Sequence, residues 1–312
     1  MVASTKTYAT HTFKALGSTI TVQAELQPDN AEKIFKQIEN CFTQIDHIAS
    51  RFREDSELTF INTHLNQSIQ VSHDLATLIK DAKYAYQITD GKFDPRIFQA
   101  LNNIGYINTF LGNSFTETKT KPHIIRQTWS PTVQENTVYI GEHPIDLGGI
   151  GKSYTVWKAS QILDQHTENY YINAGGDITF SGAPPQGKEW TVGVDNPYME
   201  TSTQPLAILA VEDESVATSS IAKHSWLTAD NKRMHHIIDP NTGLPADNQI
   251  TAVTTIHHDI ITAEIWSKTL FLHTQEEIIE ITNNLQLPAL WFTSDNKMHY
   301  NEQMEKHIRW TV

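Results

Sequence analysis

A short segment rich in glycine, next to a lysine and a serine, is the first candidate for chemistry. Gly148, Gly149 and Gly151 surround Ile150 and precede Lys152, which imitates the end of a phosphate-binding P-loop. The full pattern requires a glycine at position 146, where this chain has an aspartate that would repel phosphate. The sequence therefore argues against a P-loop nucleoside triphosphatase. The glycines allow close backbone approach, and a helix beginning after them would offer N–H groups to an anion. An ordinary tight turn from strand to helix is the alternative.

Two pairs of adjacent histidines raise the question of a metal site. They are His235 with His236 and His257 with His258. Neighbouring residues of a strand point to opposite faces, so such a pair does not easily bind one ion, and the sequence has no H-E-x-x-H spacing. The single cysteine, Cys41, excludes an internal disulfide framework and a cysteine-based zinc cluster. We expect Cys41 on the buried face of a helix.

Three other segments have the composition of turns or polar contacts. The ranges Asp90–Pro95 and Asp239–Gly243 combine aspartate, glycine and proline, which is typical of turns. The range Ala217–Ser220 is small and rich in hydroxyl groups, and it suits backbone or phosphate contacts, as many loops do. Taken singly, none of these segments identifies a function.

Composition excludes several classes of function. The chain has 312 residues, of which 39% are hydrophobic and 19% charged, with a formal net charge of -13. This charge repels nucleic acid and anionic lipid, so we expect neither as a partner. The sequence has no run of 18 apolar residues for a membrane span and no signal-like apolar stretch at its start. We therefore expect a cytoplasmic protein without a membrane partner.

The elements that would position these segments are predicted from apolar periodicity. Asn30 is expected to cap a helix whose apolar positions recur with a period of 3.6 through Ile48, and further helices are expected over about 74–88, 154–163, 262–273 and 275–284. Strands are expected near 19–26, 170–173, 190–194, 206–211 and 250–256, and a hairpin over 290–300. Residues 107–135 are expected to form a surface excursion. Because strands and helices do not alternate regularly, the predicted fold class is α+β.

The order of several motifs resembles the ApbE family, the FAD:protein FMN transferases. The segments that carry the resemblance are Ala15–Ser18, Ser50–Leu58 with Asn62, Asp90–Pro95 with Gly105 and Tyr106, Asp146–Lys152, Asn173–Asp177, Ala217–Ser219 and His236–Gly243. The most specific is the last, which reads H-I-I-D-P-N-T-G where the family has H-I-I-D-P-x-T-G. The resemblance covers nearly the whole chain and implies one α+β domain over residues 1–312.

The resemblance implies a reaction and a set of site residues. Members of the family bind FAD, transfer FMN to a threonine or serine of an acceptor flavoprotein and release AMP, with Mg²⁺ neutralising the pyrophosphate. Charge neutralisation and positioning are what phosphoryl transfer chiefly needs. Carried over by position, the FAD-binding residues would be Leu16, Phe52, Lys92, Phe93, Asp94, Asp146, Lys152, Thr218, Ser219 and Ile238. His236 and Asp239 are the candidates for proton transfer or for bracing the site.

The chain departs from the family at the metal positions. These positions correspond to Gly149, Glu264 and Lys268, and the last two stand where the family has aspartate and threonine ligands. An ammonium group has donors but no lone pair with which to bind a cation. We therefore expect the ammonium group of Lys268 to replace the magnesium ion or to weaken its binding. Gly151, Ser153 and Ser220 also differ from the family pattern.

Two alternatives to a transferase follow from the same residues. The chain could bind FAD without chemistry, or it could act as an FAD pyrophosphatase that yields FMN and AMP. It has no obvious D-[GS]-A-[TS] acceptor motif of its own, so self-flavinylation is not favoured.

Overall fold

The chain folds into two compact units, each built from separate stretches of sequence. The computed structural model describes residues 7–106, 121–198, 204–222, 225–227 and 233–311. The first unit comprises Met1–Thr43, Lys152–Ser220 and Gln249–Val312, and the second comprises Gln44–Gly151 and Ile221–Asn248. Helices and strands are mixed without regular alternation, which confirms the α+β class.

Eight α-helices occur among the described residues. They are α1 Pro28–Ala49, α2 Glu57–Thr63, α3 His73–Ile88, α4 Phe98–Asn103, α5 Gly151–Leu163, α6 Ile260–Phe271, α7 Gln275–Leu285 and α8 Glu302–Glu305. A short 3₁₀ turn, Pro95–Ile97, precedes α4. No helix in this described part is both long and apolar enough to cross a membrane.

The strands of the described residues form five sheets. In chain order they are β1 Thr7–Ala15, β2 Ser18–Leu26, β3 Ile69–Gln70, β4 Thr132–Gln134, β5 Thr137–Tyr139, β6 Tyr170–Ala174, β7 Asp177–Ser181, β8 Trp190–Val194, β9 Ala207–Val211, β10 Ser215–Ser220, β11 Ser225–Leu227, β12 Arg233–His235, β13 Ile238–Asp239, β14 Leu244–Pro245, β15 Ile250–His257, β16 Ala289–Thr293, β17 Lys297–Tyr300 and β18 Ile308–Thr311.

An eight-stranded antiparallel sheet organises the first unit. Its strand order is β1-β2-β6-β7-β10-β15-β16-β17, and a smaller sheet has the order β18-β9-β8. Side chains of β2 alternate in burial, and Ile20, Val22 and Ala24 join apolar residues of α1, α5 and α6 in one core cluster. Burial of one strand face against helices is what this period-2 pattern predicts. The sheet thus fixes the ends of β7 and β10 against α6.

The second unit contains α2, α3, α4 and three small sheets. One sheet has three strands in the order β3-β5-β4, and the other two are the pairs β11-β12 and β13-β14. Its core cluster joins residues of α4 to Trp226, Met234 and Ile238. The range Asp239–Gly243 is a tight turn, as predicted, and it connects β13 to β14. Gly243 has φ +64, and a Cβ there would lie 2.3 Å from the carbonyl oxygen of His123, so only glycine fits.

Three local expectations were wrong or incomplete. Helix α1 begins at Pro28, two residues before Asn30, because proline is preset for the first helical turn and needs no N–H partner there. The range Ala217–Ser220, to which the sequence assigned no element, lies in β10, a central strand between β7 and β15. Within the expected excursion, residues 132–134 form β4, while residues 107–120 lie outside the described part. Cys41 is buried on α1, as expected.

Candidate functional site

Asp146 braces the glycine-rich turn of the second unit. Its Oδ1 accepts a hydrogen bond of 2.8 Å from the backbone N–H of Gly148. The backbone on either side is anchored, since Asp146 N–H donates to the carbonyl of Pro95 at 2.7 Å, and Ile145 exchanges two hydrogen bonds with the amide of Asn62. A Cβ on Gly148 would lie 2.9 Å from Asp146 Oδ1, so glycine is needed for this closure. The turn is therefore held before any ligand binds.

Arg51 is the buried partner of Asp146. Its Nε lies 2.9 Å from Asp146 Oδ2, and the Arg51 side chain is only 4% exposed. The guanidinium also donates to Asn102 Oδ1 at 3.0 Å and to the carbonyl of Tyr106. Burial lowers the pKa of Arg51, and the charge of Asp146 opposes that shift. Sequence reasoning did not select Arg51, although it lies inside a motif that carried the resemblance.

A series of ring contacts connects Arg51 to His236. The guanidinium carbon of Arg51 lies 4.3 Å from the centre of the Phe52 ring and 4.9 Å from that of Tyr106, which are cation–π distances. The Tyr106 ring stacks on that of Trp226, with ring centres 5.9 Å apart, and its centre lies 6.1 Å from that of the His236 ring. Phe52 is 36% exposed, so part of its ring can receive a flat ligand. The second unit thus brings Phe52, Asp146 and His236 into one network.

The other predicted residues of this unit have mainly internal contacts. Phe93 is buried, and both oxygens of Asp94 contact the buried side chain of Arg96, with Oδ2 at 2.7 Å from its Nη2. Ile238 is buried in the core cluster beside Trp226. Asp239 accepts a hydrogen bond of 2.9 Å from the backbone N–H of Asn241, which stabilises the turn. Lys92 and Gly149 are partly exposed.

In the first unit, Leu16 occupies the turn between β1 and β2. Leu16 has φ +49 and Gly17 has φ +69, and Ala15 pairs with Ser18. Two central residues with positive φ are typical of a type I′ hairpin turn. Leu16 is partly buried and packs against the core cluster of this unit.

Four charged side chains meet in the first unit, from the first turn of α5, the first residue of β7, and the middle and last turn of α6. Lys152 Nζ contacts Asp177 Oδ2 and lies 4.0 Å from Glu264 Oε1, and Lys268 Nζ lies 2.5 Å from that same oxygen. Glu264 Oε2 accepts a hydrogen bond of 3.3 Å from the backbone N–H of Ser153. We call Lys152, Asp177, Glu264 and Lys268 the charge cluster. Sequence reasoning did not select Asp177, although it ends the motif Asn173–Asp177.

The carboxylates of the charge cluster have shifted acidities. Burial would raise the pKa of Glu264, but the charges of Lys268 and Lys152 outweigh burial and hold that pKa below its ordinary value. For Asp177, burial and then the charge of Glu264 raise the pKa, against the lowering effect of the two lysines. Glu264 is therefore the more firmly ionised of the two. The nearby hydroxyls of Ser219 and Ser267 are 2.9 Å apart and buried.

The predicted FAD residue Thr218 also has an internal partner. Its hydroxyl lies 2.9 Å from that of Thr254 on the neighbouring strand β15. Thr218 is partly exposed, whereas Ser219 is buried. Thr218 thus links β10 to β15, and Ser219 links β10 to Ser267 of α6. Their binding of FAD stays a prediction.

The charge cluster does not fit a magnesium ion. Among the described residues, no group of three or more histidine, cysteine, aspartate or glutamate side chains could hold a metal. Magnesium requires oxygen ligands in near-octahedral geometry. Here Oδ2 of Asp177 and Oε1 of Glu264 contact ammonium groups, and Oε2 of Glu264 accepts a hydrogen bond from Ser153. Lys268 has no lone pair to offer.

Comparisons with known proteins identify relatives over most of the chain. A model of the ApbE family matches residues 16–291. The FAD:protein FMN transferase of Haemophilus influenzae is 26% identical over 272 residues, which cover 82% of this chain and 77% of the relative. That of Vibrio cholerae is 26% identical over 283 residues, which cover 88% and 84%.

Two solved structures are also similar to this chain. The ApbE protein of Thermotoga maritima has a TM-score of 0.84 at 25% identity, covering 97% of this chain and 100% of that one. The flavin transferase ApbE of Vibrio cholerae has a TM-score of 0.80 at 22% identity, covering 97% and 99%, and shows likeness of fold.

Proposed function

Because the chain belongs to the ApbE family, we propose that it binds FAD and transfers FMN to a threonine or serine hydroxyl of an acceptor flavoprotein. The observation that carries the proposal is the family match over residues 16–291, which includes both the charge cluster and the network around Asp146. Relatives that cover most of this chain are named FAD:protein FMN transferase. FAD and an acceptor flavoprotein are thus the proposed partners.

The proposed reaction is a phosphoryl transfer. The acceptor hydroxyl oxygen forms a bond to the phosphorus of the FMN half, and the bond from that phosphorus to the bridging oxygen breaks. AMP leaves with the bridging oxygen, and the hydroxyl proton passes to a base. Such a reaction depends on positioning and on neutralisation of phosphate charge.

Residues of this chain are assigned to these tasks as follows. We assign binding of the flavin ring to Phe52 and bracing of the glycine-rich turn to Asp146 and Arg51. His236 is the proposed proton acceptor, since it lies in the same aromatic network as Phe52. Asp239 holds the adjoining turn, and its hydrogen bond to Asn241 supports a structural role.

A second candidate is an FAD-binding protein that does not transfer FMN, or one that transfers it to water. The observation that favours it is the lysine at position 268, which cannot supply the Lewis acidity of a metal. Incubation with FAD separates these functions. Transfer gives AMP and a protein acceptor whose mass rises by that of FMN less one water. Hydrolysis gives AMP and free FMN, and simple binding gives neither.

The decisive experiment uses a flavoprotein domain with a D-[GS]-A-[TS] motif as acceptor. We expect AMP and flavin-modified acceptor in equal amounts, and no modification when the acceptor threonine is replaced by alanine. Failure to bind FAD up to about 1 mM, equivalent to about 4 kcal/mol, contradicts the proposed function.

A further inference from the structure

The charge cluster is neutral by itself. Asp177 and Glu264 carry two negative charges when ionised, and Lys152 and Lys268 carry two positive charges. The carboxylates have side-chain exposures of 3% and 0%, so they require compensating charge from the protein or from an ion. The two ammonium groups supply the charge that one divalent cation would supply. Their Nζ atoms contact the carboxylate oxygens that a divalent cation would need as ligands.

The lysines form the side of the cluster that solvent reaches. Their side chains are 25% and 23% exposed, whereas the carboxylates behind them are almost completely buried. A ligand that approaches the cluster therefore meets ammonium groups first. Lys152 also lies in the first turn of α5, where the helix contributes a partial positive charge. Ammonium groups at a helix N-terminus are suited to phosphate oxygens.

We propose that the charge cluster binds the diphosphate of FAD without a metal ion, with Lys152 and Lys268 in contact with the phosphate oxygens. This inference rests on the proposed function for the identity of the ligand. The buried carboxylates hold the two lysines in place.

The first test measures binding under metal-free conditions. FAD and inorganic pyrophosphate are titrated calorimetrically into the protein in EDTA and, separately, in excess Mg²⁺. We expect both ligands to bind in EDTA, with FAD affinities that differ less than about threefold between the two conditions. Binding of Mn²⁺ to the flavin-free protein is followed by electron paramagnetic resonance, and we expect no bound ion.

Two double variants test the assignment to this cluster. Glu264→Asp with Lys268→Thr keeps a carboxylate and replaces the ammonium group by a hydroxyl oxygen, and we expect it to bind Mn²⁺ and to lose about tenfold in FAD affinity in EDTA but not in Mg²⁺. Glu264→Gln with Lys268→Met removes both charges and keeps an acceptor for Ser153. We expect it to lose about tenfold in affinity for both ligands, without rescue by Mg²⁺. A single Lys268 variant is avoided because it leaves Glu264 buried without its nearest counter-charge.

The control is Lys36→Met, which removes a lysine of the same unit that pairs with Glu39 and is 64% exposed. We expect its affinities to equal those of the parent. The inference is overturned if the parent binds FAD only with Mg²⁺, if it binds Mn²⁺, or if pyrophosphate does not bind in EDTA. Mg²⁺-dependent binding of FAD leaves the proposed function intact. Absence of FAD binding in every condition overturns the proposed function, while the pyrophosphate titration still decides whether the cluster binds a diphosphate.

Discussion

Replacement of Asp146 by alanine is expected to lower the free energy of unfolding by about 3–5 kcal/mol. This is the cost of removing one partner of a buried ion pair, because the remaining charge stays buried and unpaired. The relevant charge is the guanidinium of Arg51, which is 4% exposed and 2.9 Å from the carboxylate. The loss of the hydrogen bond from Gly148, at 2.8 Å, is part of the same change and is not added separately.

The assay combines urea unfolding, followed by circular dichroism, with FAD titration by flavin fluorescence. FAD affinity is measured without urea, at a temperature at which the variant is folded. Because the carboxylate fixes the glycine-rich turn, we expect the variant to lose at least about tenfold in FAD affinity. The matched control is Asp55→Ala. Asp55 also pairs with an arginine, Arg53 at 3.1 Å, but it is 68% exposed, so we expect almost no change in the free energy of unfolding and unchanged FAD affinity.

A double-mutant cycle with Arg51→Met isolates the pair. We expect the double variant to be more stable than the sum of the single changes predicts, with a coupling above about 1 kcal/mol. Stability of Asp146→Ala within about 1 kcal/mol of the parent, or a coupling near zero, would refute the reasoning. A destabilised variant that keeps the parent's FAD affinity would restrict Asp146 to the stability of the turn.

Three further changes test the remaining assignments. His236→Gln is expected to reduce the rate of AMP release about 10²-fold while FAD affinity is kept. An unchanged rate would mean that His236 has only a structural role. Phe52→Ala is expected to weaken FAD binding by about 0.5–1.5 kcal/mol, and Phe52→Tyr to restore it, because the exposed ring provides stacking area; equal affinities would remove Phe52 from the site. Burial first, and then His258, lower the pKa of His257. A group with a lowered folded-state pKa contributes stability above its unfolded pKa, about 6.5, and loses it as pH falls through the folded value. In urea unfolding at pH 7 and pH 5, His257→Asn should therefore lose less stability than the parent, and parallel losses would contradict this.

Helices with a clear apolar period were predictable, whereas their first residues were less so. The buried positions of α1, such as Ile38 and Phe42, recur with the helical period because one face must pack on the sheet. The start of α1 depends on Pro28, whose fixed backbone outweighs the capping preference of Asn30.

Central strand β10 could not be recognised from local pattern. Four of its six residues carry hydroxyl groups, and Ser215 and Ser219 are nevertheless buried. The hydroxyl of Ser219 is satisfied by Ser267, and that of Ser215 by Thr179, and both partners are distant in sequence. A strand whose polar groups are paired in this way shows no alternation of apolar and polar residues.

The motifs located candidate residues but not their partners. Asp146 and Lys152 stand in one continuous motif, yet Asp146 pairs with Arg51 of the second unit and Lys152 with Asp177 of the first. Such pairs are created by tertiary folding and have no local signal. Likewise, the four-residue spacing of Glu264 and Lys268 fits an exposed helix pair, and only the complete burial of Glu264 shows that it is not one.

The discontinuous first unit affects the order in which the nascent chain can fold. Strand β2 pairs with β6, and Val22 lies opposite Ile172. This pairing cannot form until Ile172 has been synthesised. At ordinary translation rates the synthesis of the 150 residues from Val22 to Ile172 (172 minus 22) takes roughly 8–30 s. During this interval the free edge of β2 exposes unpaired backbone N–H and C=O groups, which are prone to wrong pairing. Strand β10 in turn remains an open edge until β15 is synthesised, so any fragment that ends before Gln249 would leave the sheet incomplete.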